Sequence, residues 1–157
     1  SFNEFYSSNC LAFIGIFHDV FPRISDQHKI ILDDFTHLMS IYKPKTSGKK
    51  CIGIMCAPRR VVEVGVTSAI EALVEVMPSG SLIKLHPGFS RVMKYNVTAF
   101  LEKNYGEKYR ICSDDVIIEL EMMHEQKYLY GGLTSLQKYA SNLGSHLFRL
   151  NSIKIKV

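Results

Sequence analysis

Paired cysteines, long apolar runs, repeats and low-complexity tracts are all missing from this chain of 157 residues. The four cysteines, Cys10, Cys51, Cys56 and Cys112, form no CxxC pair, which excludes the usual structural zinc spacings. Cys51 and Cys56 stand five apart on an expected strand and its exit, and would face opposite sides. The set reads as small buried apolar residues of a reducing compartment. The longest early apolar run, residues 11–17, is far too short to cross a bilayer. No basic segment precedes it, so it does not read as a signal peptide. The aromatic and basic residues lack the pattern that an RNA-binding sheet requires, and no nucleic-acid partner is expected.

What is present points to a soluble globular protein. Hydrophobic residues make up 46% and charged residues 22%, and the length is enough for one ordinary domain with a core. The net charge of +4 is mild, with small basic clusters at residues 43–50 and 154–156. A balance of this size suits an anionic small molecule, a membrane surface or nucleic acid alike, and selects none of them.

Taken in order, residues 10–17 read as a strand or a short helix ended by Pro22. Residues 25–42 predict a helix, because Ile30, Ile31, Phe35, Leu38, Met39 and Tyr42 recur at spacings of three and four. Ser25 or Asp26 is its cap. Residues 43–48 are a loop. From there the pattern becomes regular. Strands are predicted at 50–56, 82–85, 109–112, 128–130 and 146–150, with a further piece at 153–157. Helices are predicted at 67–77, from Ser90 to Tyr105, from about Asp115 to His124 with Asp114 as cap, and at 134–143 ending on Gly144. Strands alternating with helices over short connections imply a parallel sheet with right-handed crossovers. The expected organisation is an N-terminal segment and linker helix at 1–47, then an α/β domain at 48–157. That domain is expected to be a Rossmann-like open parallel sheet with helices on both faces.

In such sheets ligands lie outside the carboxyl ends of the strands, near the point where strand order reverses. Three unusual turns fall at strand ends: the one after Cys56, the one at His86-Pro87, and the one at Gly131-Gly132. In Gly131-Gly132-Leu133-Thr134-Ser135, two glycines permit close backbone approach and a helix begins with hydroxyl residues. Free N–H groups and hydroxyls converging there would suit a phosphate. An ordinary strand-to-helix turn with Thr134 as N-cap accounts for the same residues. His86 reads either as a structural hydrogen-bonding residue or as a group beside a phosphate. In the second case the anion would raise its pKa and the imidazole could donate to the leaving group. Pro87 holds the chain extended at His86. Glu119 and Glu121, two apart on a predicted helix, cannot share a face. One of them belongs to a solvated surface, and the other is a candidate for ribose hydroxyls.

These residues carry a resemblance. Lys84-Leu85-His86-Pro87 resembles the His-Pro motif of bacterial sialyltransferases and polysialyltransferase-like enzymes. The run from Ile117 to Met123 and then Tyr130-Gly131-Gly132-Leu133-Thr134-Ser135 resemble the segments downstream of that motif in the group. The ordered set spans about residues 50–150 and leaves out the N-terminal part. It implies a GT-B architecture of two Rossmann-like halves, this chain supplying the C-terminal donor-nucleotide half.

The resemblance implies an inverting, metal-independent glycosyltransferase that takes sialic acid from CMP-sialic acid to a glycan acceptor, with no cofactor. It places His86 as the catalytic residue at the donor phosphate, with Pro87, Gly131, Gly132, Thr134 and Ser135 around the phosphate and Glu119 on the ribose. The loop Ala57-Pro58-Arg59 would lie near the base or sugar. The family's acidic motif, which carries the general base, belongs to an N-terminal half. Here Asp33-Asp34-Phe35 is the only double acid before the sheet, with Phe where the family has Gly. It reads as a helix face, so an N-terminal catalytic half is an expected partner. Leu136 stands where some members have a second Ser. The implied role is in capsule or lipooligosaccharide synthesis, in the cytoplasm, with peripheral association at the inner face of the membrane. Two alternatives stay open. One is a transferase of another cell-surface polymer, using a different nucleotide donor. The other is a non-catalytic Rossmann-like binding or assembly domain.

Overall fold

Five parallel strands build the sheet whose strand exits carry His86, Pro87, Gly131 and Gly132, while Glu119 lies on a helix. The computed structural model describes residues 13–15, 25–31, 36–132 and 136–150. The chain divides into two units, Ser1–Lys43 and Pro44–Val157.

In the first unit, β1 (Phe13–Gly15) pairs in parallel with β2 (Lys29–Ile31), and α1 spans Thr36–Ile41. The helix expected over 25–42 is therefore corrected. A 3-10 turn at Asp26–His28 leads straight into β2, and helix forms only from Thr36. The adjacent β-branched pair Ile30-Ile31 favours strand once a partner is available, and pairing outweighs the helical spacing. Residues 10–17, left between strand and helix by their sequence, hold a strand at Phe13–Gly15. Asp33-Asp34-Phe35 and residues 153–157 lie outside the described residues.

The second unit runs β3 (Cys51–Ile54), α2 (Pro58–Val64), α3 (Val66–Val74), β4 (Leu82–Lys84), α4 (Arg91–Tyr105), β5 (Arg110–Ile111), α5 (Ile118–His124), β6 (Tyr128–Gly131), α6 (Leu136–Asn142) and β7 (His146–Arg149). Its sheet has the order β5-β4-β3-β6-β7, all parallel. The chain steps outward from β3 through β4 to β5, then crosses back to place β6 on the other side of β3. Strand order thus reverses between β3 and β6, as in doubly wound dinucleotide folds.

Alternation along each strand sorts the core into two layers. On one face Met55 and Ile83 pack with Val61, Ala69, Ile70, Leu73, Val97 and Leu101 of α2, α3 and α4. On the other, Ile52 and Leu129 pack with Ile118, Met122, Leu136 and Ala140 of α5 and α6. Helices therefore cover both faces of the sheet. Gly53 is required by the first layer, because a Cβ there would lie 2.2 Å from Met77 Sδ and 2.9 Å from Leu73 Cδ2. The missing side chain lets α3 and the turn after it sit directly on β3.

Local signals account for most boundaries. Ser90 caps α4, its hydroxyl accepting from Met93 N at 3.2 Å. Gly144 follows α6 with φ of 67°, the left-handed value that ends a helix. Two boundaries differ from expectation. Residues 58–64, given no helix by the sequence reading, form α2 with Pro58 in its first turn, where a missing N–H costs nothing. Asp114 does not cap α5. Its carboxylate accepts from Lys94 Nζ at 2.6 Å, and the helix starts later, at Ile118.

Candidate functional site at the strand ends

Because the five strands are parallel, the residues leaving them gather at one edge of the sheet. Backbone hydrogen bonds continue past the strands there: Met55 N donates to Lys84 O at 3.0 Å, and Leu150 N to Gly131 O at 2.9 Å. The edge carries Cys56-Ala57-Pro58 after β3, His86 after β4, and Gly132 after β6. The crevice of a doubly wound sheet opens where strand order reverses, here between β3 and β6. His86 stands one strand to one side of β3, and Gly131-Gly132 one strand to the other. At ordinary strand spacing the two exits are about 10 Å apart.

The turn at His86 is closed by several local contacts. Phe89 N donates to His86 O at 3.0 Å. Gly88 N donates to His86 Nδ1 at 3.0 Å. The buried Phe89 ring stacks on the imidazole, centroids 6.2 Å apart at 27°. A Cβ on Gly88 would lie 3.5 Å from Pro58 Cγ, so this turn rests against the start of α2. Pro87 and Gly88 are exposed and His86 is half-buried, which leaves part of the ring open.

On the other side of β3, Gly131 is the last residue of β6 and lies opposite Ile54. A Cβ there would come within 2.9 Å of Ile54 O. The first glycine is therefore needed for strand packing, while nothing lies within 4 Å of the Cβ direction of the half-buried Gly132. Thr134 and Ser135 lie outside the described residues.

The two glutamates separate sharply. Glu119 is half-buried in the first turn of α5 and has no hydrogen-bond or ion-pair partner among the described residues. Glu121 is fully buried. It accepts from Lys45 N at 2.8 Å, from Thr46 N at 3.1 Å and from the Thr46 hydroxyl. Of the pair, Glu121 is therefore the buried one, placed under the loop before β3, and Glu119 is the more open. Lys127, also fully buried, completes this anchor. Its Nζ donates to Thr46 O at 3.0 Å, Lys49 O at 3.2 Å and Glu125 Oε2 at 2.8 Å. That hydrogen bond and the ammonium charge hold the Glu125 carboxyl below its ordinary range. Lys127 immediately precedes β6 and Thr46 comes before β3, so the anchor belongs to the amino edge of the sheet, away from the candidate site.

Neither Lys127 nor Gly88 stands out in the sequence. A lysine directly before an alternating strand gives no sign of burial, and Gly88 reads as a routine partner of Pro87. The pattern that would have identified Gly88 is a residue with a free N–H two positions after a histidine in a turn.

Other groups near the edge are accounted for by local partners. Lys84 Nζ donates to Ser113 O at 3.1 Å and Asp114 O at 2.9 Å. Arg60 and Arg59 engage Glu63 at 3.0 Å and 3.3 Å within α2. Burial pushes the Cys56 thiol up in pKa, against a smaller opposing effect of its own backbone and Arg60. Burial pushes Cys112 up to about 11. Neither is a poised thiolate. Among the described residues, no group of three His, Cys, Asp or Glu side chains could hold a metal ion. Nor is any helix among them long and apolar enough to cross a membrane.

No family model matches the chain, and no curated protein or solved structure matches it either.

Proposed function

We propose that this chain is the donor-nucleotide half of a sialyltransferase-like glycosyltransferase, binding the phosphate of CMP-sialic acid at the carboxyl edge of its sheet. The observation that carries the reading is the position of His86. It leaves the strand next to the reversal point, partly open, in a turn closed by two hydrogen bonds from the residues that follow it. An imidazole held there offers a donor to charge that develops on a departing phosphate. Gly132 offers open backbone across β3 for the same phosphate, with Thr134 and Ser135 next in sequence after Leu133. Glu119, half-buried in the first turn of α5, is the carboxylate assigned to ribose hydroxyls. In this reading an N-terminal half supplies the base that activates the glycan acceptor, and the assembly works at the inner face of a membrane.

Calorimetric titration with cytidine monophosphate tests the reading. Binding by the natural chain is expected, with His86→Ala weakening it at least about tenfold, the worth of a hydrogen bond to a charged group. No binding, or undiminished binding by the variant, removes the reading. Preference for a uridine diphosphate-sugar or cytidine diphosphate-glycerol would assign the chain to another class of cell-surface polymer transferase.

A further inference from the structure

The hydrogen bond from Gly88 to His86 has a chemical consequence. Gly88 N is a donor only, so Nδ1 of His86 must be the acceptor in the 3.0 Å contact. A neutral imidazole that accepts through Nδ1 carries its proton on Nε2. We propose that the Gly88 backbone N–H is a positioning group. It holds His86 in the Nε2–H tautomer, so the neutral ring meets its ligand as a single donor matched to an anionic oxygen.

The surroundings support a fixed ring. Phe89 is buried, stacks on the imidazole and closes the backbone turn by donating to His86 O. A Cβ on Gly88 would lie 3.2 Å from Nδ1 and 3.4 Å from Cε1, so the Gly88 backbone lies against that edge of the ring. The Nδ1 partner is an amide, not a carboxylate, which separates this arrangement from a His–Asp pair built to stabilise an imidazolium. Among the described residues nothing accepts from Nε2. That atom is left for a ligand.

The inference rests on the phosphate-site reading and narrows it. In the neutral ring this hydrogen bond leaves the one proton on Nε2, which is lent to the ligand as a hydrogen bond. Such a group suits a ligand oxygen that already bears charge, as on a phosphate. It is poorly suited to a leaving alkoxide, which needs a proton delivered.

Two measurements test this on the full chain. Long-range nitrogen–proton NMR of the free protein, at a pH above the imidazole titration, reads the tautomer directly. A pyridine-like Nδ1 and a pyrrole-like Nε2 for His86 are expected. The reverse pattern, or an averaged one, overturns the proposal whatever the chain binds. The second measurement compares two amide replacements with cytidine monophosphate as probe. In His86→Gln the amide NH2 falls near the Nε2 position, whereas in His86→Asn it falls near Nδ1. Gln is expected to keep binding within a few-fold of the natural chain, and Asn to weaken it about tenfold or more. Equal loss in both, or better binding by Asn, contradicts the proposal. Cytidine monophosphate failing to bind the natural chain, with the NMR pattern as expected, removes the phosphate-site reading and leaves the tautomer assignment standing.

Discussion

Replacing Glu121 by alanine should destabilise the second unit much more than the same change at Glu119, though the two lie two positions apart on α5. Glu121 is fully buried and accepts from two backbone N–H groups, at 2.8 Å and 3.1 Å, and from the Thr46 hydroxyl. A net hydrogen bond is worth about 0.5–1.5 kcal/mol, and a buried donor left without a partner costs about 1–3 kcal/mol. Water reaching the part-buried amide of Lys45 will recover part of the loss. The net cost should be about 3 kcal/mol for Glu121→Ala and roughly half that for Glu121→Gln, which retains one carbonyl acceptor. Glu119, half-buried and without a partner among the described residues, should cost no more than about 0.5 kcal/mol. Urea unfolding reads the totals. Hydrogen exchange adds a local readout, because the Thr46 amide should lose its protection in Glu121→Ala and keep it in Glu119→Ala. Equal destabilisation by the two alanine variants, or an unchanged Thr46 amide, would refute the buried-anchor reasoning.

Other outcomes are expected from the same structure. Gly53→Ala should cost about 1–3 kcal/mol through overpacking, because its Cβ would fall 2.2 Å from Met77 Sδ. Met77→Ala in the same chain should return part of that loss, measurable as non-additivity in a double-mutant cycle. Acid should weaken the unit through carboxyls held below their ordinary range, among them Glu125 beside Lys127. A carboxyl whose folded pKa is depressed stabilises the fold above its ordinary pKa, 4.5 for Glu125, and that contribution disappears as pH falls through the folded value. Stability should therefore hold from neutrality to about pH 5 and decline below it, with a smaller decline in Lys127→Met. With its pKa raised to about 11, only about one Cys112 thiol in a thousand is ionised at pH 8. The less buried Cys56 should be alkylated well ahead of it in the folded protein, and the two rates should converge in urea.

Much of the second unit is legible in the sequence because its signals are local. Gly144 and Ser90 mark helix ends by their own chemistry, and the apolar faces of α3 and α4 show at helical spacing. The alternation of strands and helices leads directly to a parallel sheet. The departures have local causes too. Lys29–Ile31 carries both a helical spacing and a β-branched pair, and only the partner strand Phe13–Gly15 decides between them. Pro58 reads as the stop of a strand, yet it also begins α2. Asp114 has the chemistry of a cap, but Lys94, twenty residues earlier, takes its carboxylate.

The site itself is only partly legible. The placement of His86 and Gly131-Gly132 at strand ends comes from the alternation. That they flank β3 from opposite sides depends on strand order, which no local pattern encodes. The choice between Glu119 and Glu121 is closed to the sequence for the same reason: Thr46 lies 75 residues before Glu121 and meets it only in the fold. Glu121 falls on the face of α5 that meets the loop, and Glu119, two residues away, does not.

The most direct test of the phosphate site is a backbone NMR titration of the chain with cytidine monophosphate. The account predicts saturable shifts concentrated on the amides of Ala57, His86, Gly88, Gly131 and Gly132, at the carboxyl edge of the sheet. It is contradicted by an absence of saturable shifts, or by shifts centred on Thr46 and Lys127 at the opposite edge.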